Sequence, residues 1–178
     1  SDLNAALDSP LETVMNNVVA TIRLLINAVE SKVNRFIFAS TVYVYNKGGG
    51  FYKASKQACE VYLEEFNKKY NIDYTILRYG SLYGLRSDDK NGINRLVTAA
   101  LNQNEINYNG TPDEKREYIN VQDAARLTIE TMKSKYKNGN YVITGQQSIS
   151  NAELFTMFSE ILDKELKIKY NENNITNI

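Results

Sequence analysis

The chain has 178 residues, 43% of them hydrophobic, and its 21 basic side chains balance 21 acidic ones. That length suits one domain with a real core, and zero net charge argues against an electrostatic nucleic-acid partner. The lack of any histidine removes histidine metal ligands and Ser-His-Asp catalysis together, so no metal site is expected. In chain order, Pro10 to about Lys32 reads as a helix with Ser9 as N-cap and proline in the first turn. Its apolar residues Leu11, Val14, Met15, Val18, Val19, Ile22, Leu25, Ile26 and Val29 recur at helical spacing and spread over more than one face. Arg35 to Ser40 reads as a short buried strand, Tyr52 to about Tyr70 as a helix and Tyr74 to Tyr79 as another strand. A helix is predicted over Asn91 to Asn102, with short strands at Glu105 to Tyr108 and Glu117 to Ile119. Val121 to Lys133 reads as a helix, Tyr141 to Thr144 as a strand, and Asn151 to Leu162 as a helix capped by Ser150. Strands alternating with helices predict an α/β fold with a parallel sheet.

No internal repeat or long linker divides the sequence, so a single domain is expected over residues 1–178. No apolar run approaches a membrane span and no signal peptide is visible, which predicts a cytoplasmic protein without a membrane partner. The one cysteine, Cys59, cannot form an internal disulfide and reads as a small packing residue.

The chemistry concentrates in Tyr52-Lys53-Ala54-Ser55-Lys56. Residues four apart share a helix face, so Lys56 sits beside Tyr52. A neighbouring ammonium favours the phenolate and lowers the phenol's pKa from about 10, which makes tyrosine a usable acid/base near neutral pH. The same spacing also occurs in solvated surface pairs, and Tyr43 and Lys47 repeat it. That second pair runs into Gly48-Gly49-Gly50, which opposes a helix, whereas good helix formers follow Tyr52.

The ordered set of motifs is more specific. Asn34-Arg35-Phe36-Ile37-Phe38-Ala39-Ser40-Thr41-Val42-Tyr43 precedes Tyr52-x-x-x-Lys56. Tyr74-Thr75-Ile76-Leu77-Arg78-Tyr79-Gly80-Ser81-Leu82-Tyr83-Gly84 and Arg116-Glu117-Tyr118-Ile119-Asn120-Val121-Gln122-Asp123-Ala124-Ala125 follow it. Together with Asn16-Asn17-Val18-Val19-Ala20-Thr21, this order resembles the extended short-chain dehydrogenase/reductases. More narrowly, it resembles the NAD-dependent epimerase/dehydratase family that acts on nucleotide sugars.

The resemblance implies an incomplete Rossmann-like, doubly wound parallel sheet with part of a small C-terminal substrate-binding region. Residues 1–80 would be the catalytic part, and 81–178 a mixture of Rossmann and substrate-binding segments. It implies Thr41, Tyr52 and Lys56 as catalytic residues. Asn16, Asn17, Ser40, Tyr52, Lys56 and Tyr79 would lie against NAD, and Ser81, Asn91 and Arg116 would face the nucleotide-sugar substrate. Arg116 would hold the diphosphate, a role suited to a charge-assisted fork. The family also implies a homodimer through the helices at 10–32 and 52–70, and a role in making surface polysaccharides.

Three departures from the family pattern accompany it. The Gly-x-x-Gly-x-x-Gly turn that holds a pyrophosphate is not in the sequence, and Ser1 to Ala6 read as the loop after the family's fourth strand. With an Asn-rich end at 170–178, this predicts a fragment lacking the first half of the fold and inactive alone. The loop from Thr41 to Tyr52 is short, with Asn46 to Gly50 in place of the usual Pro/Glu stretch. Ser81 stands where sugar epimerases often carry asparagine. The family's dehydratases place Asp-Glu directly after the catalytic threonine, and here Val42 and Tyr43 follow it, which predicts epimerisation or simple redox chemistry. The alternative is a non-catalytic member of the fold that binds a dinucleotide without turnover.

Overall fold

A computed structural model describes residues 9–46 and 48–171. Lys47, the loop expected at 1–6 and nearly all of the Asn-rich end lie outside the described residues. The chain divides into two compact units, one formed by residues up to 80 together with 125–143, the other by 81–124 and 144–171.

The first unit is built on a parallel sheet of three strands in the order β1-β2-β6. They are β1 (Arg35–Thr41), β2 (Asp73–Tyr79) and β6 (Gly139–Ile143). The register sets Ser40 beside Arg78 and Thr41 beside Tyr79, so the carboxyl ends of β1 and β2 are level. Such ends are where open α/β sheets bind ligands. The core is Leu25, Phe38, Cys59, Leu63 and Ile76, with Val18, Phe36, Phe66 and Tyr74 packed against it. Cys59 is buried there, as a packing residue should be.

Helix α1 runs from Pro10 to Glu30, but not as the uniform helix expected. Pro10–Thr13 is α-helical, Val14–Val19 is π-helical and Ala20–Glu30 is α-helical again. The wider turn falls on Asn16 and Asn17, both poor helix formers. Ser9 occupies the N-cap position without a side-chain capping bond; its carbonyl instead accepts from the Thr13 hydroxyl at 2.9 Å.

Helix α2 (Gly50–Tyr70) starts two residues before the expected position. Gly49 explains the early start. It sits at the N-cap with φ of 100°, and a Cβ there would lie 2.9 Å from the Lys53 Cβ, so only glycine fits. At its far end, Asn71 closes α2 in the left-handed conformation, with Lys68 and Lys69 in the last turn.

The second unit contains β3 (Ser81–Tyr83), helix α3 (Gly92–Gln103), β4 (Glu105–Tyr108) and β5 (Lys115–Asn120). Helix α4 (Val121–Glu130) follows and carries the chain back to the first unit. Then come β7 (Ser148–Ser150), helix α5 (Asn151–Leu162) and β8 (Lys167–Tyr170). Strand β5 lies between β3 and β7, parallel to β3 and antiparallel to β7, while β4 pairs in parallel with β8. Ser150 forms a full capping box with Glu153 at the start of α5. Ala100, Ile106, Leu154 and Phe155 form this unit's core. The strands β3, β7 and β8, three or four residues long, are not among those expected from the sequence.

Among the described residues, no helix is long and apolar enough to cross a membrane. Among those same described residues, no group of three or more acidic or cysteine side chains is placed to hold a metal ion.

Candidate active site

Strand β1 delivers two hydroxyls at its carboxyl end, Ser40 and Thr41, both buried. The chain then turns through a short 3-10 segment, Val42–Tyr45, and α2 brings Tyr52 and Lys56 back towards the strand. Thr41 Oγ1 accepts from the Tyr43 backbone N–H at 3.3 Å, which pins the turn and leaves the hydroxyl proton to donate.

Lys56 joins the two elements. Its Nζ donates to the Ala39 carbonyl on β1 at 2.9 Å, lies 4.8 Å from the centre of the Phe38 ring and 5.9 Å from the centre of the Tyr52 ring. Burial pushes its pKa below the usual lysine value, opposed by the negative charge of the nearby Glu60 carboxylate. A partly dehydrated ammonium thus stands next to the phenol, with two further N–H groups to donate.

Asn17, in the π-helical turn of α1, donates through its side-chain amide to Ser55 Oγ at 2.9 Å, and its backbone carbonyl accepts from Cys59 Sγ at 3.4 Å. It fastens α1 to the turn of α2 that carries Tyr52 and Lys56. Asn16 is exposed. Burial raises the pKa of Cys59, which keeps the thiol protonated and unreactive. Tyr79, at the end of β2, shares a 2.6 Å hydrogen bond with Thr128 of α4. Ser40 donates to Glu60 Oε1 at 2.5 Å, so its hydroxyl is directed into the protein.

Three further candidates lie in the second unit. Ser81 is on β3, in register with Tyr118 of β5. Asn91 is the N-cap of α3: its Oδ1 accepts from the Asn94 N–H at 3.0 Å, while its Nδ2 donates to the Leu82 carbonyl at 2.9 Å. Both ends of that amide are therefore engaged within its own loop. Arg116 is on β5, 40% exposed, and pairs with Glu114 at 2.8 Å. Any anion that this arginine binds has to share it with that carboxylate.

The sequence reading did not single out Glu60, Arg78 or Tyr45. Glu60 lies four residues after Lys56 on α2, and both its oxygens accept from the Arg78 guanidinium, Nε at 3.1 Å and Nη2 at 2.6 Å. Arg78 also donates to the Tyr45 hydroxyl at 2.5 Å and lies over that ring at 4.8 Å. The helical step from Lys56 to Glu60 was visible in the sequence. The arginine was not, since only the β1–β2 register brings it beneath Ser40.

Level strand ends carrying hydroxyls thus stand beside a helix with a tyrosine and a lysine one turn apart. The profile of the NAD dependent epimerase/dehydratase family matches residues 1–144, and the chain belongs to that family. It is 28% identical over 168 residues to a putative UDP-glucose 4-epimerase of Methanocaldococcus jannaschii, covering 84% of this chain and 54% of that one. Among solved structures it resembles a UDP-N-acetylglucosamine 4-epimerase from Methanobrevibacter ruminantium M1 in complex with UDP-N-acetylmuramic acid. That likeness has a TM-score of 0.91 at 26% identity and covers 100% of this chain and 63% of the other. It also resembles a UDP-glucuronic acid 4-epimerase from Bacillus cereus in complex with UDP-glucuronic acid and NAD. Here the TM-score is 0.82 at 24% identity, over 89% of this chain and 55% of that one, a likeness of fold. The chain spans about half the length of the curated relatives it matches. The fold is thus the Rossmann-like α/β fold of the epimerase/dehydratase structures, present in part, and the family is one of NAD-dependent enzymes.

Proposed function

We propose that the whole protein containing this chain is a cytoplasmic, NAD-dependent nucleotide-sugar epimerase, with Tyr52 as its acid/base. The observation that carries the reading is Lys56, held between the Ala39 carbonyl and the Tyr52 ring at the end of β1. The donor set fits the cofactor: hydroxyls at level strand ends and an ammonium with N–H groups left for ribose hydroxyls. Bound NAD would supply the hydride acceptor. Tyr52 takes the proton from a sugar hydroxyl, Lys56 stabilises the phenolate that does so, and Thr41 donates to the same sugar oxygen. On the substrate side, Arg116 binds the diphosphate, with Ser81 and Asn91 beside the nucleotide sugar.

Epimerisation is favoured over 4,6-dehydration by the residues after Thr41. Eliminating water across neighbouring sugar carbons needs a second acid and base beside the hydroxyl. Val42 cannot transfer a proton, and the backbone of Tyr43 is drawn onto Thr41. Inverting one hydroxyl needs no groups beyond Tyr52 and its supports. The test is to incubate the whole protein and NAD with a panel of UDP-, dTDP- and GDP-sugars and read the products by NMR. An inverted hydroxyl without net NADH is expected. A 4-keto-6-deoxy product overturns the assignment, and NAD binding without any turnover favours the non-catalytic reading.

The same reading includes a homodimer through α1 and α2. Both helices expose large apolar residues: Leu11 is 73% exposed, Leu24 58% and Val61 58%, with Met15, Ile26 and Tyr62 also exposed. Helices that face only water do not need such residues. Sedimentation of the whole protein is expected to show a dimer, and a monomer at high concentration removes the proposal.

A further inference from the structure

Glu60 is a buried carboxylate whose hydrogen bonds all run into the framework of the candidate active site. Oε1 accepts from Ser40 Oγ at 2.5 Å and from Arg78 Nε at 3.1 Å, and Oε2 accepts from Arg78 Nη2 at 2.6 Å. Arg78 passes the connection on to Tyr45 through a bond of 2.5 Å. Four segments therefore meet at one ion pair. They are α2, which carries Tyr52 and Lys56; the end of β1, where Ser40 precedes Thr41; β2; and the turn that follows Thr41.

A buried ion pair is a poor choice if cohesion alone is required. Hydrophobic residues of similar volume often hold a fold as well or better, because both charges lose their water. What the pair provides is direction. The guanidinium fork fixes the plane of the carboxylate, and the fixed carboxylate fixes the Ser40 hydroxyl. Tyr52, Lys56 and Glu60 follow one another at four-residue steps, so they share a face of α2. The carboxylate also favours the charged form of Lys56 against the cost of burial.

We propose that Glu60, oriented by Arg78, is a positioning residue that locks the strand end bearing Thr41 to the helix bearing Tyr52 and Lys56 by way of Ser40. The proposal rests on the epimerase reading, since it assigns Glu60 the task of keeping those three side chains in productive register. Without the lock, both elements keep their fold, but the strand-end hydroxyl and the phenol no longer converge on one sugar oxygen.

Ser40→Ala is the selective test, because it cuts the link while leaving the Glu60–Arg78 pair intact. In the whole protein it should lower kcat roughly 10- to 100-fold, the cost of a small misplacement of reacting groups. KM for the nucleotide sugar and NAD affinity should stay at parental values, and the melting midpoint should fall by no more than the loss of one buried hydrogen bond allows. Arg78→Lys keeps the charge, loses the fork, and should give the same pattern in kcat. Turnover of Ser40→Ala within about twofold of the parent overturns the proposal, and so does a kcat loss matched by weaker NAD binding or by unfolding at the assay temperature. Tyr52→Phe, measured alongside, separates the two levels. If it retains full turnover, the epimerase reading itself fails. If it loses turnover while Ser40→Ala is silent, only the positioning role fails.

Discussion

Tyr52→Phe should lower the turnover of the whole protein by roughly 10²–10⁴, the usual range for loss of a general acid/base. The substitution removes one oxygen and leaves the ring, so the contact with Lys56 at 5.9 Å from the ring centre is kept. NAD affinity should therefore be unchanged, because the missing hydroxyl acts on the proton of the sugar. The measurement is kcat beside a calorimetric titration with NAD. Unchanged kcat would take Tyr52 out of the mechanism. The same change at Tyr43, whose backbone N–H rather than its phenol engages Thr41, should leave the pH–rate profile as it was.

Lys56→Met should move the rising limb of the pH–rate profile about 1–3 pH values higher, the change expected when an opposite charge close to an acid is removed. The sign follows from the chemistry. Tyr52 acts as a base only when deprotonated, and the Lys56 ammonium favours that form. Without the ammonium a higher pH is needed to reach the same phenolate fraction. Activity at neutral pH therefore falls about tenfold for every pH step of one that the limb moves. Burial sets a limit on the parent as well. Because the Lys56 pKa lies below the usual lysine value, its help to Tyr52 fades as pH rises through that lowered value. A variant with its rising limb at the parental pH would show that the ammonium does not tune the phenol. Methionine is long, apolar and unbranched, so it should still fill the space against the Phe38 ring.

The legible part of this molecule is what the chain writes contiguously. The run from Arg35 to Ser40 reads as a strand because its apolar stretch is short and β-prone, and the observed strand extends one residue further, to Thr41; the parallel α/β class follows from the alternation of elements. Tyr52 and Lys56 could be set on one face because a single helix carries both. Ser150 as the cap of α5 was legible for the same reason, while its reciprocal pairing with Glu153 is seen only in the structure. What escaped depends on partners far apart in the chain. The Glu60–Arg78 pair needs the α2–β2 packing, and the bond from Ser40 needs the register of β1. The start of α2 was misplaced because glycine's cost inside a helix was applied to Gly50, whereas Gly49 serves the entry to the helix and Gly50 begins it. Asn91 illustrates a different gap. Its position at a helix start was readable, but the sequence did not show that its amide would be engaged on both sides by its own loop.

The π-helical turn at Val14–Val19 also bears on which length changes this chain can accept. Such a turn holds one residue more than a regular helix would use, so a one-residue deletion inside it can be absorbed by closing the helix to ordinary α geometry. The helix would survive and its apolar contacts could largely re-form. The residues on either side would keep their faces, because the wide turn takes up its extra residue locally. Asn17 lies inside that turn, so closing it shifts the amide locally and strains its hydrogen bond to Ser55. A gap at this place in a related sequence therefore marks a changed tie between α1 and α2 rather than an altered fold.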